Sequence, residues 1–280
     1  MSKSCKLKIS LVFVVCLLCV LFCGAASAEG TSNVSYTETP VYIDGLLSCR
    51  GYTVDGETYV SLESACAVLG YDIDADYDIE TNTLTVSVAG IEITACKGQQ
   101  YFTANGRYLY LPNGYMEIDG SFIVPLDALA KIFNLSVSIN EELDAYDFDT
   151  ANEQILESGD EYYDEDSLYW LSHIITWESG NQPVAGQIGV GNVVLNRVES
   201  GRFPNTIKDV ICQPGQFEPV ARGAIYGDPY PISIVCAKLV LEGYNTVDDA
   251  LFFHVGHAGV STISYNTSLV INIADHNFYR

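Results

Sequence analysis

Residues 173–198 contain two helix-length segments separated by a Gly-Asn turn, and this stretch constrains the fold more than any other. In the first segment, Leu168, Leu171, Ile175 and Glu178 recur at i, i+3, i+7 and i+10. A helical period of 3.6 residues places the Glu178 carboxylate on the leucine face, directed toward the core. Burial raises the pKa of a carboxyl group, which suits a general acid. The pattern also fits a helix-end glutamate that reaches solvent or caps the turn.

The second segment predicts a helix against which another backbone packs closely. Pro183 supplies the fixed φ that suits the first position of a helix. Glycine costs roughly 1 kcal/mol relative to alanine inside a helix, so a cluster of glycines favours close packing over a merely weak helix. That cluster is Gly186, Gly189 and Gly191, and the apolar stripe beside it is Val184, Ile188, Gly191, Leu195 and Val198.

The residues around these helices form a longer pattern. Beginning one residue before Glu178, the chain reads WESGNQPVAGQIGVGNVVLNRVESGRFPNTIKDVICQPGQFEPV. This segment and the end of the chain resemble the cell wall hydrolase family of the spore-cortex-lytic enzyme (SleB/CwlJ) type, over about residues 167–280. The resemblance implies an α+β, lysozyme-like catalytic domain in which Glu178 is the catalytic acid. Two positions depart from the family pattern, because its second glutamate is Gln182 here and its arginine is Gly180.

The rest of this region predicts helices followed by strands. Residues 205–211 indicate a short capped helix, and residues 231–241 indicate a third amphipathic helix. Three later runs, 251–255, 262–265 and 269–273, predict a small antiparallel sheet. Helices first and a sheet last are typical of an α+β fold.

A set of polar and aromatic residues is expected to contact the substrate. Loop amides beside an aromatic ring suit sugar binding, as in the segment 213–217, although the same residues also fit turn chemistry alone. The expected substrate-binding residues are Gln187, Asn192, Gln213, Gln216, Phe217, His254 and His276.

The favoured function is a glycosidase that acts on the glycan strands of peptidoglycan. Glycoside hydrolysis usually employs two carboxylates, and Glu178 alone is both directed to the core and part of the motif. A single acid is sufficient when the substrate supplies its own nucleophile, as the muramic C6 hydroxyl does in lytic transglycosylases, a chemistry that the resemblance also implies. This interpretation requires no metal and no cofactor.

Two other functions remain open. A metal-dependent wall amidase or peptidase would take His254 and His257, with His173 and His276, as ligands, and Glu178 would activate a water molecule. Against this, an HxxH pair on a strand directs its two rings to opposite faces. The third function is a non-catalytic protein that binds the wall or belongs to the spore.

The first 28 residues have the pattern of a secretory signal peptide. Three lysines precede an apolar run over residues 9–23, and Ala26-Ser27-Ala28 forms a small-x-small cleavage site. We therefore expect export and a mature chain that begins near Glu29. A retained membrane anchor is the alternative, but the run is short for a span of about 20 residues. No transmembrane segment is expected after the signal is removed.

Residues 29–140 contain an internal repeat. The segment DGETYVSL at residues 55–62 is followed 64 residues later by DGSFIVPL, and each continues into a short helix and then a strand. This α+β repeat domain resembles the copper amine oxidase N-terminal-like domain of secreted Gram-positive proteins. No histidine occurs before His173, so neither copper nor oxidase activity is expected. We expect a role in wall attachment or as a spacer; an unattached structural domain is the alternative.

Residues 141–166 are predicted to be an acidic linker, with twelve Asp or Glu and neither Lys nor Arg. Like charges at this density extend a chain, although tyrosines could dock locally. Residues 29–166 have a net charge of −23, whereas the expected catalytic domain, 167–280, has a net charge of −3. Nucleic acid is not an expected ligand, because phosphate binding relies on a basic surface.

Overall fold

A seven-stranded sheet organises the first part of the chain. The computed structural model describes residues 34–256 and 268–280 of the whole chain. In order, the strands of the sheet are β11 (Ser136–Asn140), β12 (Ala145–Asp149), β1 (Thr37–Ile43), β2 (Leu46–Val54), β3 (Glu57–Ser61), β10 (Ser121–Pro125) and β9 (Met116–Ile118). Strands β1 and β12 are parallel, and the other neighbours are antiparallel where their registers are defined.

The internal repeat lies at the centre of this sheet. Strands β3 and β10 are its equivalent strands, and they pair with each other, Ser61 opposite Ile123. Each leads directly into a helix, α1 (Leu62–Val68) or α2 (Leu126–Phe133). The Ser61 hydroxyl accepts a hydrogen bond from the Ser64 amide and so caps α1. The predicted order of strand, helix and strand in each repeat is confirmed.

A second sheet is inserted between the two repeats. It is an antiparallel meander of β4 (Ile73–Asp78), β5 (Thr83–Val88), β6 (Ile91–Cys96), β7 (Tyr101–Ala104) and β8 (Arg107–Tyr110). Buried residues alternate with more exposed ones along β5 and β6, which shows that one face of this sheet packs into the core. The last strand, β8, lies against the C-terminal helices.

The structure differs from the expected extended linker over residues 141–166. Residues 145–149 form β12, in which Phe148 is buried and pairs with Ile43 of β1. Farther along, the Gly159 amide donates to the carbonyl of Asn105 at 2.9 Å. The apolar side chains of this acidic segment reach the core, and their burial outweighs the repulsion between its exposed carboxylates. Only short pieces between these contacts are irregular.

The C-terminal part consists of helices followed by a small sheet, and the predicted α+β class is confirmed. The helices are α3 (Gly159–Tyr162), α4 (Glu165–Ser179), α5 (Val184–Glu199), α6 (Ile207–Ile211), α7 (Glu218–Ala221) and α8 (Pro231–Leu241), with a 3₁₀ turn at Ala224–Tyr226. The sheet has the order β13 (Phe252–Val255), β15 (His276–Tyr279), β14 (Leu269–Ile273). Its central strand, β15, falls in the end of the chain, where the sequence resembles the terminal strands of the cell wall hydrolase family, and the predicted strand at 262–265 lies outside the described residues.

Helix α5 packs as closely as its glycines predicted. A Cβ atom on Gly189 would lie 2.7 Å from Val247 Cγ1 and 2.8 Å from Phe278 Cζ. On Gly191, a Cβ atom would lie 2.7 Å from Val240 Cγ2. These distances are too short for real carbon contacts, so glycine is needed at both positions. The neighbours that fill the space are side chains rather than another backbone.

A buried ion pair joins the first part of the chain to the C-terminal helices. Arg107 on β8 donates two hydrogen bonds of 2.6 Å each to the carboxylate of Glu242, at the end of α8. The Tyr163 hydroxyl also donates to this carboxylate, at 2.7 Å, and Lys131 donates to the main-chain oxygen of Glu242. By the contacts within it, the segment 34–280 forms one compact unit.

The predicted signal peptide, residues 1–28, lies outside the described residues. In the part of the chain that is described, none of the helices has the length and apolar character needed to cross a membrane. Cys66 and Cys236 are free, buried thiols, and burial raises the pKa of each to about 12.

Candidate active site

Glu178 lies near the C-terminal end of α4, where that helix meets the β-sheet of the C-terminal part. The helix ends at Ser179, and the Gly180 amide closes its last turn by donating to the Thr176 carbonyl at 3.0 Å. Neighbouring positions on the helix, including Leu171 and Ile175, are fully buried. The Glu178 side chain is half-buried, so its carboxyl group is partly removed from water while remaining accessible.

The surroundings of Glu178 favour its protonated form. Burial is the largest cause, and the negative charge of Glu218 is the second; together they raise the pKa of Glu178 to about 7. Glu218 begins the short helix α7 and forms an exposed ion pair of 2.5 Å with Arg222. A carboxyl group with a pKa near 7 has a substantial protonated fraction at neutral pH, and it can also accept a proton once it has lost its own.

The turn after Glu178 shows why this chain carries no side chain at position 180. A Cβ atom on Gly180 would lie 2.7 Å from Cδ2 of Tyr230 and 2.5 Å from the Thr176 oxygen. The Tyr230 ring therefore occupies the space beside the helix end, and the Tyr230 amide donates to the Thr176 hydroxyl at 3.0 Å. Position 180, an arginine in the pattern of the resembled family, is therefore a glycine against which the Tyr230 ring packs.

Gln182, at the position of the family's second glutamate, is buried and held on several sides. Its Nε2 donates to Asn181 Oδ1 at 3.0 Å and to Asp275 Oδ2 at 3.2 Å. Its Oε1 accepts from the Asp275 amide at 3.2 Å. These bonds attach the β14–β15 hairpin to the turn that follows Glu178.

His276 and Phe217, two of the predicted substrate contacts, lie close to this region but are buried. Phe253 joins them, with ring centroids 5.5 Å from His276 and 6.4 Å from Phe217. Burial lowers the pKa of His276, and the charge of Asp275 and the backbone of Glu178 act in the opposite direction. Neither ring nitrogen of His276 has a hydrogen-bond partner of regular geometry among the described residues.

The Arg197 guanidinium lies over the aromatic rings of Phe203, Phe217 and Phe252. Its guanidinium carbon lies 4.8 Å from the ring centroid of Phe203 and 5.2 Å from that of Phe217. Its Nε donates to the Leu251 carbonyl at 2.8 Å, and burial lowers the pKa of the guanidinium to about 10. Arg197 thus connects the loop of Phe217 to Leu251, the residue before β13. The residue after Phe217 is Glu218, whose charge raises the pKa of Glu178.

Gln187 and Asn192 do not have the exposure that substrate contacts require. Gln187 donates to the Gln182 carbonyl at 3.0 Å and accepts from the Ser233 hydroxyl at 2.7 Å. Asn192 donates to the Tyr244 carbonyl at 2.8 Å and accepts from the Thr246 amide at 3.0 Å. Because both amides are buried and already paired, the structure corrects the expectation that they contact a sugar. They hold the turns on which the site rests.

The remaining predicted contacts lie at different depths. Gln216 is exposed, Gln213 is half-buried with an Oε1 atom that lacks a partner among the described residues, and His254 is half-buried on β13. His254 is close enough to His276 to lower its pKa through charge. Their contact with a substrate stays a prediction.

Sequence reasoning missed three exposed aromatic rings, Trp177 on α4 and Tyr226 and Tyr230 in segments that pack against that helix or its end. Trp177 is 42% exposed, Tyr226 66% and Tyr230 52%. Trp177 packs against Gly227, where an added Cβ would lie 2.8 Å from its Cζ2 atom. The available signal was the pairing of an aromatic residue with a glycine, Trp177 with Gly227 and Tyr230 with Gly180, but both pairs are far apart in the sequence.

Three histidines of the amidase alternative, His173, His254 and His276, lie in the described part of the chain. No group of three His, Cys, Asp or Glu side chains in a metal-binding arrangement occurs within residues 34–256 and 268–280. His173 is buried on α4, where its Nδ1 lies 2.6 Å from the Tyr169 carbonyl oxygen and its ring stacks on that tyrosine. His257 lies outside the described residues.

Helices, a small sheet and a half-buried carboxyl group with a raised pKa make up the C-terminal part, and comparison with known families agrees with the resemblance noted in the sequence. Residues 181–279 match the Cell Wall Hydrolase family, and residues 47–145 match the Copper amine oxidase N-terminal domain. The resemblance to both families is confirmed. Glu178 lies three residues before the start of the Cell Wall Hydrolase match, at residue 181.

Individual relatives match the C-terminal part. The chain is 29% identical over 118 residues to a spore cortex-lytic enzyme of Bacillus cereus, covering 42% of this chain and 46% of that protein. The chain thus spans less than half the length of the curated relatives it matches, between 35% and 46% of each. Among solved structures, the catalytic domain of the Bacillus cereus SleB protein is 29% identical, with 42% and 92% of the chains covered and a TM-score of 0.39. The catalytic domain of a germination-specific lytic transglycosylase, SleB from Bacillus anthracis, is 28% identical, with 43% and 98% covered and a TM-score of 0.40.

Proposed function

We propose that this protein is a peptidoglycan-degrading glycosidase, and specifically a lytic transglycosylase that cleaves the bond between N-acetylmuramic acid and N-acetylglucosamine. The observation that carries the proposal is the state of Glu178, whose pKa is raised to about 7 by burial and by Glu218. Similarity to spore cortex-lytic enzymes supports peptidoglycan as the substrate.

In the proposed reaction, Glu178 acts first as an acid and then as a base. Its carboxyl proton passes to the glycosidic oxygen while the bond from that oxygen to muramic C1 breaks, which releases the 4-hydroxyl of N-acetylglucosamine. The C6 hydroxyl of the same muramic residue attacks C1, and the Glu178 carboxylate takes the proton of that hydroxyl. The product is a 1,6-anhydromuramic end, no water is consumed, and Glu178 returns to its protonated form.

The raised pKa suits this double role better than an ordinary carboxyl would. An unperturbed glutamate, with a pKa of about 4.3, is almost entirely ionised at pH 7 and a poor proton donor. A group with a pKa near the working pH can donate and accept with similar ease. A single acid also fits Gln182, which cannot exchange a proton at the position of the family's second glutamate.

The proposal includes export to the cell wall or the spore. Residues 1–28 would direct secretion, and similarity to cortex-lytic enzymes supports spore cortex as a substrate and germination as the occasion. Intact-mass analysis of secreted protein should give a chain that begins near Glu29; a secreted chain that retains Met1 would contradict the signal assignment. The first domain would attach the enzyme to the wall, and a variant without it should pellet less with insoluble peptidoglycan.

The product ends decide among the proposed chemistries. Purified spore cortex and vegetative peptidoglycan would be digested separately, and the new ends identified by mass spectrometry. Anhydromuramic ends are the expected result. Reducing ends would indicate hydrolysis by water, new amino termini an amidase, and pelleting without release a binding protein.

A further inference from the structure

The hydrogen bonds around Gln182 direct attention to Asp275, an exposed acid that the sequence pattern did not single out. Asp275 lies in the turn between β14 and β15 and is exposed. Only its Oδ2 atom accepts from a described residue, namely Gln182 Nε2 at 3.2 Å. No lysine, arginine or histidine of the described segments forms an ion pair with it.

Gln182 is held too firmly to be a chance partner. The Ser233 hydroxyl on α8 donates to Gln187, and Gln187 donates to the Gln182 carbonyl. Gln182 is itself 8% exposed, and both ends of its amide are used on Asp275, the Nε2 on the carboxylate and the Oε1 on the backbone amide. A chain of buried hydrogen bonds therefore orients one exposed carboxylate.

That carboxylate is joined through Gln182 to the turn that follows the proposed catalytic acid. Gln182 follows Glu178 by four residues, in the turn between α4 and α5. His276, the residue after Asp275, is near enough to the Glu178 backbone for that backbone to influence its ring, and the Gly256 amide fixes the Asp275 carbonyl at 3.1 Å. The hairpin that carries Asp275 is thus bound at both its side chain and its main chain.

We propose that Asp275, oriented by Gln182, is a substrate-contacting residue whose carboxylate accepts a hydrogen bond from a hydroxyl or amide N–H group of the glycan strand. The inference rests on the proposed function, since it assigns the ligand of the same site. In this chain the negative charge that the family pattern carries at position 182 is supplied across the hydrogen bond, by position 275.

The test is an exchange of the two side chains, measured as the rate of anhydro-end release from soluble glycan strands at low concentration. Asp275→Asn keeps the fold contact, because the Asn carbonyl oxygen still accepts from Gln182, but it removes the charge. A hydrogen bond to a charged group corresponds to about a 10- to 100-fold change, so the rate should fall by that factor with an unchanged Tm. In the exchange variant Gln182→Glu/Asp275→Asn, the amide donates to the carboxylate in the reverse direction, and the rate should return to within about threefold of the parent.

Controls separate this proposal from the proposed function. Asp249→Asn removes a different exposed carboxylate of the same domain and should leave the rate unchanged. Glu178→Gln should abolish release, and in that inactive background Asp275→Asn should weaken pelleting with peptidoglycan. If Glu178→Gln is inactive while Asp275→Asn matches the parent, or if the exchange variant is no better than Asp275→Asn, the assignment of Asp275 is wrong and the function stands. Full activity of Glu178→Gln would instead contradict the function itself.

Discussion

Arg107→Met should destabilise the described unit strongly, because it removes one partner of a buried ion pair and leaves the other one charged. The Glu242 side chain is 0% exposed and accepts two hydrogen bonds from Arg107 and one from Tyr163. Removing the guanidinium leaves a buried carboxylate with the tyrosine as its one remaining side-chain partner. Breaking a buried ion pair from one side costs about 3 to 5 kcal/mol. At about 2 to 4 °C per kcal/mol for a unit of this size, Tm should fall by roughly 10 °C.

The assay is thermal unfolding by circular dichroism, with two matched variants. Arg50→Met removes an ion pair between Arg50 and Glu38, whose side chains are 53% and 48% exposed, respectively. Because this pair is exposed, its loss should change the free energy of unfolding by less than about 1 kcal/mol. Arg107→Met/Glu242→Met removes both charges and should recover much of the loss, because no charge is left buried without a partner. A Tm for Arg107→Met that equals that of Arg50→Met would refute the reasoning.

Three further outcomes follow from the contacts described. Gly159→Ala should lower Tm strongly, because its Cβ would collide with the Gly106 carbonyl oxygen, a backbone atom that cannot move aside; an unchanged Tm would contradict this close approach. Glu218→Gln removes the second cause of the raised pKa of Glu178, so that pKa should fall and the alkaline limb of the pH–rate profile should move to lower pH, whereas Glu199→Gln should leave the limb in place. A chain of residues 160–280 should still cleave soluble strands, but with a lower Tm than the full chain because it lacks Arg107; inactivity of a folded product would contradict the domain division.

The local features of the fold were predictable because they depend on neighbours in the sequence. The direction of Glu178 followed from a helical period, and the close packing of α5 followed from the cost of glycine inside a helix. The repeat was visible because the same segment occurs twice. Each of these signals is contained within a few turns of chain or in a direct comparison of two segments.

The features that were missed depend on pairing between distant residues. Strand β12 lies in a segment whose charge predicted an extended linker, and its place is decided by the burial of Phe148 against a strand about 100 residues earlier. Arg107 and Glu242 are 135 residues apart. For the site, the influence of Glu218 and the orientation of Asp275 arise only when the helices and the hairpin meet, so nothing in their sequence surroundings distinguished them from surface acids.

The rate of anhydro-end release by Glu178→Gln, measured on purified peptidoglycan, tests the catalytic assignment most directly. Glutamine keeps the shape but cannot transfer a proton, so the rate should fall by about 10²- to 10⁴-fold. The raised pKa means that the ionised carboxylate costs stability above pH 7, and the amide removes that cost, so the variant should be at least as stable as the parent at pH 8. A folded Glu178→Gln protein that releases anhydro ends as fast as the parent would contradict the assignment of Glu178 as the acid.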